Sequence, residues 1–165
     1  MLKNLPALLF LCFITFGCSN LSKTQSDSDI LGIKIGMSQE DAHKRLKEIG
    51  KLEKEESKQQ EVWALNNEPH YDYLILAFDK ENRQVRYITA KARENGTRVP
   101  YSDVLDTGKA QQTSSANNYK YIQEIPGNVL SNSYAKIASG TDSNYLTYFS
   151  LKQLNSSEEE EDEED

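Results

Sequence analysis

The stretch that decides the fold is ILGIKIGMSQEDAHKRLKEIG, residues Ile30 to Gly50. Alternate positions in its first part are apolar, which predicts a short strand carrying Leu31, Ile33 and Ile35. In its second part, apolar residues recur at intervals of three or four, at Ala42, Leu46 and Ile49. This spacing puts one apolar stripe on one side of an amphipathic helix, which must pack against another element.

The ends of this helix are also marked in the sequence. Ser38 has a side-chain oxygen that can accept an unpaired backbone N–H, and Asp41 stands at the capping-box position three residues later. Gly50 follows the last apolar residue, where glycine commonly ends a helix. We therefore predict a helix that begins after Ser38 and ends at Ile49.

The rest of the chain predicts strands. Three follow the helix, at 61–65, 73–78 and 84–92, with a turn at 79–83 between the last two. Farther on, Ser102 is a candidate cap for a short helix through Leu105, the segment 111–118 is predicted to be a polar loop, and three more strands are expected at 119–125, 133–138 and 145–151. These elements predict an α+β fold.

In the predicted fold, an antiparallel sheet packs against one or two helices within a single domain, residues 30–154. The halves 30–93 and 97–154 each contain a helix followed by strands, so a tandem helix-plus-sheet repeat is one arrangement. One continuous antiparallel sheet is the alternative. No repeat is visible residue by residue.

The entry to the helix resembles a known family. Gly32 to Asp41 (GIKIGMSQED), followed by an amphipathic helix, a glycine and antiparallel strands, is similar to the "GM[ST]xx[DE]" start of SmpA/BamE-like outer-membrane lipoproteins and, more broadly, of β-lactamase-inhibitor-protein-like domains. The resemblance covers about residues 31–92. It departs from the family at Lys51, where a proline is common. It implies an envelope protein that binds other proteins.

The N-terminus has the pattern of an export signal. Lys3 precedes an uncharged, largely apolar run, LPALLFLCFITF, residues 5–16, which is shorter than the roughly 20 residues that span a bilayer. We predict that residues 1–17 are a signal peptide. The following segment, 18–29, is polar and is predicted to be a flexible tether.

Cys18 directly follows this leader, in Thr15-Phe16-Gly17-Cys18, which resembles the lipobox of bacterial lipoproteins, although Thr15 replaces the usual leucine. The resemblance implies that Cys18 is lipidated with palmitate-type chains, and that the protein is anchored to the outer membrane and faces the periplasm. An ordinary signal-peptide cysteine is the alternative. Cys12 is the other cysteine of the chain and lies inside the leader, so the mature protein would keep one thiol without an internal partner.

Charge is concentrated at the other end of the chain. The net charge is −7, but the last eight residues, Glu158 to Asp165, are all acidic, and 18 acidic and 19 basic residues remain without them. The nearly neutral body gives no support for nucleic-acid binding. We predict that residues 155–165 form a disordered, solvated tail; weak cation capture and contact with a basic partner are the alternatives.

Residues that could carry catalysis are few. The histidines are His43 and His70, and Glu40 stands one turn before His43, a spacing found in carboxylate-bridged metal sites that here lacks further ligands. The sequence contains neither a Gly-x-Ser-x-Gly elbow nor a phosphate-binding glycine loop. We therefore assign no catalytic residue, no metal and no cofactor, and expect that the protein is not an enzyme.

Aromatic residues are the remaining signal. The chain has nine tyrosines and a single tryptophan, and tyrosine suits both the rim of a sheet and a protein interface. The candidate binding surface consists of Trp63, Tyr87, Tyr121 and Tyr148. The resulting hypothesis is a membrane-anchored, non-catalytic protein-binding or envelope-assembly module. The alternatives are an inhibitor or glycan- or ligand-binding lipoprotein, and a hydrolase that uses a serine with His43 or His70.

Overall fold

A computed structural model of the chain describes residues 29–56, 60–127 and 133–154. The predicted signal peptide (1–17), the tether (18–29) except Asp29, and the acidic tail (155–165) lie outside these residues. Among the described residues, no helix has the length and apolar character needed to cross a bilayer.

The described chain contains one α-helix, ten strands and one short 3-10 turn. In chain order they are β1 (Asp29–Ile30), β2 (Ile33–Lys34), α1 (Gln39–Ile49), β3 (Gly50–Glu56), β4 (Gln60–Leu65), β5 (Tyr71–Phe78), β6 (Val85–Ala92), the 3-10 turn (Tyr101–Asp103), β7 (Gln111–Ser115), β8 (Asn118–Ile125), β9 (Tyr134–Gly140) and β10 (Tyr148–Gln153). Strands β1 and β2 form a small hairpin. The other strands form one antiparallel sheet in the order β3-β4-β5-β6-β10-β9-β8-β7.

The predicted α+β class is wrong. Strands hold 53% of the described residues and helices 12%, so the protein is mostly β, with one short α-helix against an eight-stranded sheet. Each half of the chain contributes four strands, but β6 pairs with β10 and joins them into one continuous sheet. In the second half, the predicted helix is only a 3-10 turn. Pro100 occupies its N-cap position and makes no capping hydrogen bond with its side chain. Ser102 lies inside that turn rather than before it.

The prediction for α1 is confirmed. The helix runs from Gln39 to Ile49, and the Ser38 side chain accepts the backbone N–H of Asp41. Gly50 ends the helix for a different reason from the expected one, because its backbone is extended, with a φ of −162°. A Cβ atom at this position would collide with the carbonyl oxygen of Ala64 on β4, so glycine allows β3 to begin directly beside its neighbour.

The segment before the helix is a tight hairpin instead of one strand. Leu31 and Gly32 both have positive φ, 55° and 87°, and link β1 to β2. Their position at the turn removes Leu31 from the predicted alternation. Ile30 and Ile33 are fully buried on either side of the turn. The Arg45 side chain donates to the Leu31 carbonyl at 2.9 Å and ties the hairpin to α1.

One face of the sheet carries the core, and we call it the covered face. In the first half, α1 contributes Ala42 and Leu46, both fully buried, and the neighbouring strands contribute Leu74, Leu76 and Ile88. Each buried leucine-sized side chain stabilises the fold by roughly 1.5–3 kcal/mol. Because α1 is short, it covers only part of the sheet.

The segment 97–110 joins the core of the second half. Its buried residues are Val99, Tyr101, Val104 and Leu105. The Tyr101 ring lies 4.7 Å from that of Tyr121 on β8, and its hydroxyl donates to the Asp142 carbonyl at 3.0 Å. Burial, together with nearby Tyr121 and Asp142, raises the pKa of Tyr101 to about 12. Lys136, buried on β9, donates to the Val104 carbonyl at 3.2 Å.

Candidate functional site

The second face of the sheet differs in composition, and we call it the open face. Alternation and register assign to it, on the six inner strands, the side chains of Gln60, Val62, Ala64, Tyr73, Ile75, Ala77, Tyr87, Thr89, Lys91, Tyr148, Ser150, Lys152, Ala135, Ile137, Ser139, Lys120, Ile122 and Glu124. The helix and the 97–110 segment pack on the opposite face. Most larger side chains of the open face are accordingly half-buried or exposed.

Three tyrosines stand on the open face around an apolar centre. Tyr73, Tyr87 and Tyr148 lie on β5, β6 and β10, and Tyr148 is 42% exposed. A row of residues crosses the sheet between them: Val62, Ile75, Thr89, Ser150, Ile137 and Ile122. The hydroxyls of Thr89 and Ser150 form a hydrogen bond with each other at 2.8 Å, between β6 and β10, where the two halves of the sheet join. The result is a surface of tyrosines and apolar side chains around this hydroxyl pair, which is itself buried.

The structure divides the predicted binding residues between the two faces. Tyr87 and Tyr148 lie on the open face of the neighbouring strands β6 and β10, and the register partner of Tyr148 is Lys91, four residues along β6 from Tyr87. Trp63 and Tyr121 lie on the covered face, and Trp63 is only 3% exposed. Tyr121 packs against Tyr101. Tyr73 was not among the predicted residues, although it begins the apolar run of β5 and points to the same side as Tyr87.

A cluster of buried polar contacts lies on the covered face, around Glu61. Its carboxylate is buried and sits between the Nε2 atom of His43, at 2.8 and 2.9 Å from its two oxygens, and the indole N–H of Trp63, at 2.8 Å. The Gln39 amide donates to the same carboxylate at 3.3 Å. With Glu61 ionised, the carboxylate only accepts, so His43 carries a hydrogen on Nε2.

This cluster attaches the helix to the sheet. His43 and Gln39 come from α1, while Glu61 and Trp63 come from β4, so every donor to the carboxylate is fixed by one of two packed elements. The His43 ring also contacts the rings of Trp63 and Phe78, each at 5.8 Å between centroids. A buried carboxylate is tolerated when several donors surround it, and here they do.

The Glu61–His43 pair has the geometry of a histidine held by a carboxylate, which are two of the three members of a catalytic triad. The third member would be a hydroxyl nucleophile. Within residues 29–56, 60–127 and 133–154, no serine or threonine hydroxyl hydrogen bonds to His43 or to His70, so a triad is not assembled there. The same residues contain no group of three His, Cys, Asp or Glu side chains placed to hold a metal ion. Glu61, not Glu40, is the carboxylate that His43 contacts.

His70 lies in a different cluster of hydrogen bonds, just before β5 begins. Its backbone N–H donates to the Glu68 carboxylate at 3.1 Å, and its carbonyl accepts from the backbone of Arg93 at 2.8 Å. Arg93 also pairs with Asp72 at 2.9 Å and donates to the carbonyls of Glu68 and Tyr71. Burial, with Glu68 and Asp103 nearby, raises the pKa of Tyr71 well above its usual range. These contacts fix the loop before β5.

One feature of the sequence could have predicted the cluster around Glu61. In EVWAL, alternation assigns Glu61 to the same side as Trp63 and Leu65, so an acid stood on an otherwise buried face. Such an acid predicts a buried partner. His43 could not be identified as that partner from spacing, because it is 18 residues away and its position depends on how α1 crosses β4.

No protein-family model, no curated protein and no solved structure matches this chain. Its function is therefore inferred from its own residues, above all from the open face.

Proposed function

We propose that the chain is a non-catalytic protein-binding or envelope-assembly module, anchored through lipid on Cys18 to the outer membrane of a bacterium and facing the periplasm. The anchor is supported by the leader and by Gly17-Cys18, which lie outside the described residues. The binding role is supported by the open face. The SmpA/BamE-like resemblance of residues 31–92 points in the same direction.

The observation that carries the proposal is the set of Tyr73, Tyr87 and Tyr148 on a partly apolar sheet face. Aromatic side chains set among apolar and polar groups are typical of protein interfaces. Tyrosine is enriched at such interfaces because a large amphipathic ring can be ordered at low entropic cost. A protein is thus the partner class that fits the open face best.

A site-specific cross-link tests the binding role. A photoreactive phenylalanine analogue replaces Tyr148 on the open face in one strain and Lys47, on the exposed side of α1, in a matched control. We expect the probe at 148 to capture a defined set of envelope proteins and the probe at 47 to capture none of them. Capture of one soluble enzyme would favour the inhibitor alternative. Equal capture at both positions would contradict the proposed face.

The anchor has its own test. Cys18→Ala should prevent the incorporation of labelled palmitate and should allow the protein to be released from membranes by high salt. The wild-type protein should take up the label and remain in the membrane fraction, because stable anchoring requires two or more acyl chains. A wild-type protein that never takes up palmitate would overturn the lipoprotein assignment and leave the open face to be judged separately.

A further inference from the structure

The open face also has a charge pattern that its aromatic residues do not explain. Lys91 and Lys120 flank Tyr148 in one row across the sheet, because Tyr148 pairs with Lys91 on one side and with Ser139 on the other, and Ser139 pairs with Lys120. Lys152 projects from the same face, four residues farther along β10. Glu124 is the one acid among the paired open-face positions of the six inner strands in the described residues. The face is therefore basic.

The three lysines have little competition from described carboxylates. Lys91 contacts Glu94 at 3.4 Å, and the Glu94 side chain is 78% exposed, so this pair is weakly held. Within residues 29–56, 60–127 and 133–154, Lys120 and Lys152 form no ion pair. An acidic segment that reached the open face would meet the ammonium groups of Lys91 and Lys120 on either side of Tyr148 and that of Lys152 farther along β10.

The chain itself contains such a segment. Glu158–Asp165 is eight consecutive acids, and three residues separate it from Leu154, the last described residue. Since β10 ends at Gln153, the chain leaves the sheet one position beyond Lys152. The tail is thus tethered at the border of the basic face.

Length permits the contact. Residues 155–165 could extend about 36 Å at 3.3 Å per residue. The row of Lys91, Tyr148 and Lys120 lies roughly 13 Å from Lys152 along β10, and the two lysines of that row are about 14 Å apart across three strand spacings. Tethering supplies an effective concentration in the millimolar range, which lowers the affinity that the weak ion pairs of the segment must supply.

We propose that the acidic segment Glu158–Asp165 lies over the open face, held by Lys91, Lys120 and Lys152, and competes there with the protein partner. The inference rests on the proposed function for its choice of face and adds a regulator to it. A partner that binds this face must displace the segment, so binding is weakened at low ionic strength and strengthened when salt screens the ion pairs. In this proposal the chain's own tail occupies the open face. Binding of the three lysines to an anionic lipid surface is a different result, which the test below would detect.

Lysine reactivity in the full chain tests this proposal. The wild-type protein is compared with a variant of equal length in which each Glu of the tail is replaced by Gln and each Asp by Asn. An amine-reactive acetylating reagent is applied briefly at low salt, and the rate at each lysine is read by mass spectrometry. We expect neutralisation of the tail to raise the rates of Lys91, Lys120 and Lys152 at least threefold, whereas Lys47, exposed on α1, stays unchanged. In 1 M salt, where the Debye length is about 3 Å, the difference should vanish.

Several outcomes would overturn the proposal. Equal rates at the three lysines in both proteins would show that the tail does not cover them, and an equal rise at Lys47 would show only a general field effect. If the three lysines became less reactive as the protein concentration rose, the tail of one molecule would be covering the open face of another. Protection that requires added phosphatidylglycerol vesicles would assign the lysines to a membrane. None of these experiments contains a partner, so each of these results leaves the cross-link from position 148 as a separate test of the proposed function.

Discussion

The covered and open faces of the sheet are built from the same strands, yet they differ in what their side chains do. On β5, Leu74 and Leu76 are fully buried beneath α1, whereas Tyr73 and Ile75 alternate with them and remain half-buried. The covered face is occupied by a helix, a hairpin and the segment 97–110. The open face carries tyrosines, lysines and a hydroxyl pair.

The difference separates stability from recognition. Apolar area removed from water contributes roughly 25 cal/mol per Å², so the buried residues of the covered face contribute most of the free energy of unfolding. Thr89 and Ser150 on the open face are buried, but its tyrosines and lysines are half-buried or exposed, which leaves them available to a partner. Substitutions on the two faces should therefore have opposite effects on stability and binding.

The largest loss of stability is expected from Leu46→Ala. Leu46 is fully buried in the middle of the α1 stripe, and truncating a buried leucine costs about 2–5 kcal/mol because a cavity is left behind. Urea unfolding of the domain without residues 1–18 measures the change. Lys47→Ala, one residue along on the exposed side, should change the free energy of unfolding by less than about 0.5 kcal/mol. Equal midpoints for both variants would mean that α1 does not cover the sheet.

A smaller loss is expected from Glu61→Ala. The substitution leaves the Trp63 indole N–H and the His43 ring without their acceptor, and an unsatisfied buried donor costs about 1–3 kcal/mol. Glu61→Gln keeps one acceptor oxygen and should lose less. Glu81→Ala, in the exposed turn before β6, is the matched control and should fall within about 0.5 kcal/mol. If Glu61→Ala unfolds like that control, the cluster does not attach α1 to β4.

Sequence reasoning identified the elements with apolar periodicity and missed those without it. The helix and its Ser38 cap were predicted correctly, as were the inner strands β4, β5, β6, β8 and β9 within a few residues. Strand β10 was expected to begin at Tyr145 but begins at Tyr148. The two edge strands were not predicted. Strand β3 (GKLEKEE) is mostly charged, with Leu52 as its one large apolar residue, and β7 (QQTSS) has no apolar residue, so the prediction of a polar loop at 111–118 is wrong. An edge strand is fixed by pairing with its neighbour, and a single sequence does not contain that information.

The candidate site was only partly predictable for a related reason. Which tyrosines share a face depends on register and on the strand order β6-β10-β9-β8, in which the last strand of the chain lies in the middle of the sheet. Alternation within one strand assigns Tyr87 relative to Ile88, but it cannot assign Tyr87 relative to Tyr148 on another strand. The long-range pair Glu61 and His43 has the same limitation.

A pH-dependent difference is expected at Tyr101, on the covered face. Its pKa is raised from 10.0 to about 12, chiefly by burial, so the neutral phenol contributes stability that is complete below pH 10 and is lost as the pH rises through about 12. Tyr101→Phe removes the hydrogen bond to Asp142 and should cost about 1 kcal/mol at neutral pH. The gap between the two proteins in urea unfolding should narrow above about pH 10. A gap that widens there would contradict the raised pKa.

The smallest effect on stability is expected from Tyr148→Thr, on the open face. Tyr148 is 42% exposed and borders Lys91 and Ser139 in the register, so removal of its ring uncovers little of the core, while threonine keeps a residue that suits a strand. The free energy of unfolding should change by less than about 0.5 kcal/mol. With a cross-linking probe at Tyr87, on the neighbouring strand, capture of the envelope partner should nevertheless fall strongly, because an exposed aromatic ring that enters an interface often supplies much of its binding energy. A loss of more than about 2 kcal/mol in stability would show that the ring is packed like those of the covered face. Unchanged stability together with unchanged capture would move the binding surface away from Tyr148, and the open face would then lack the exposed tyrosine on which its proposed role depends.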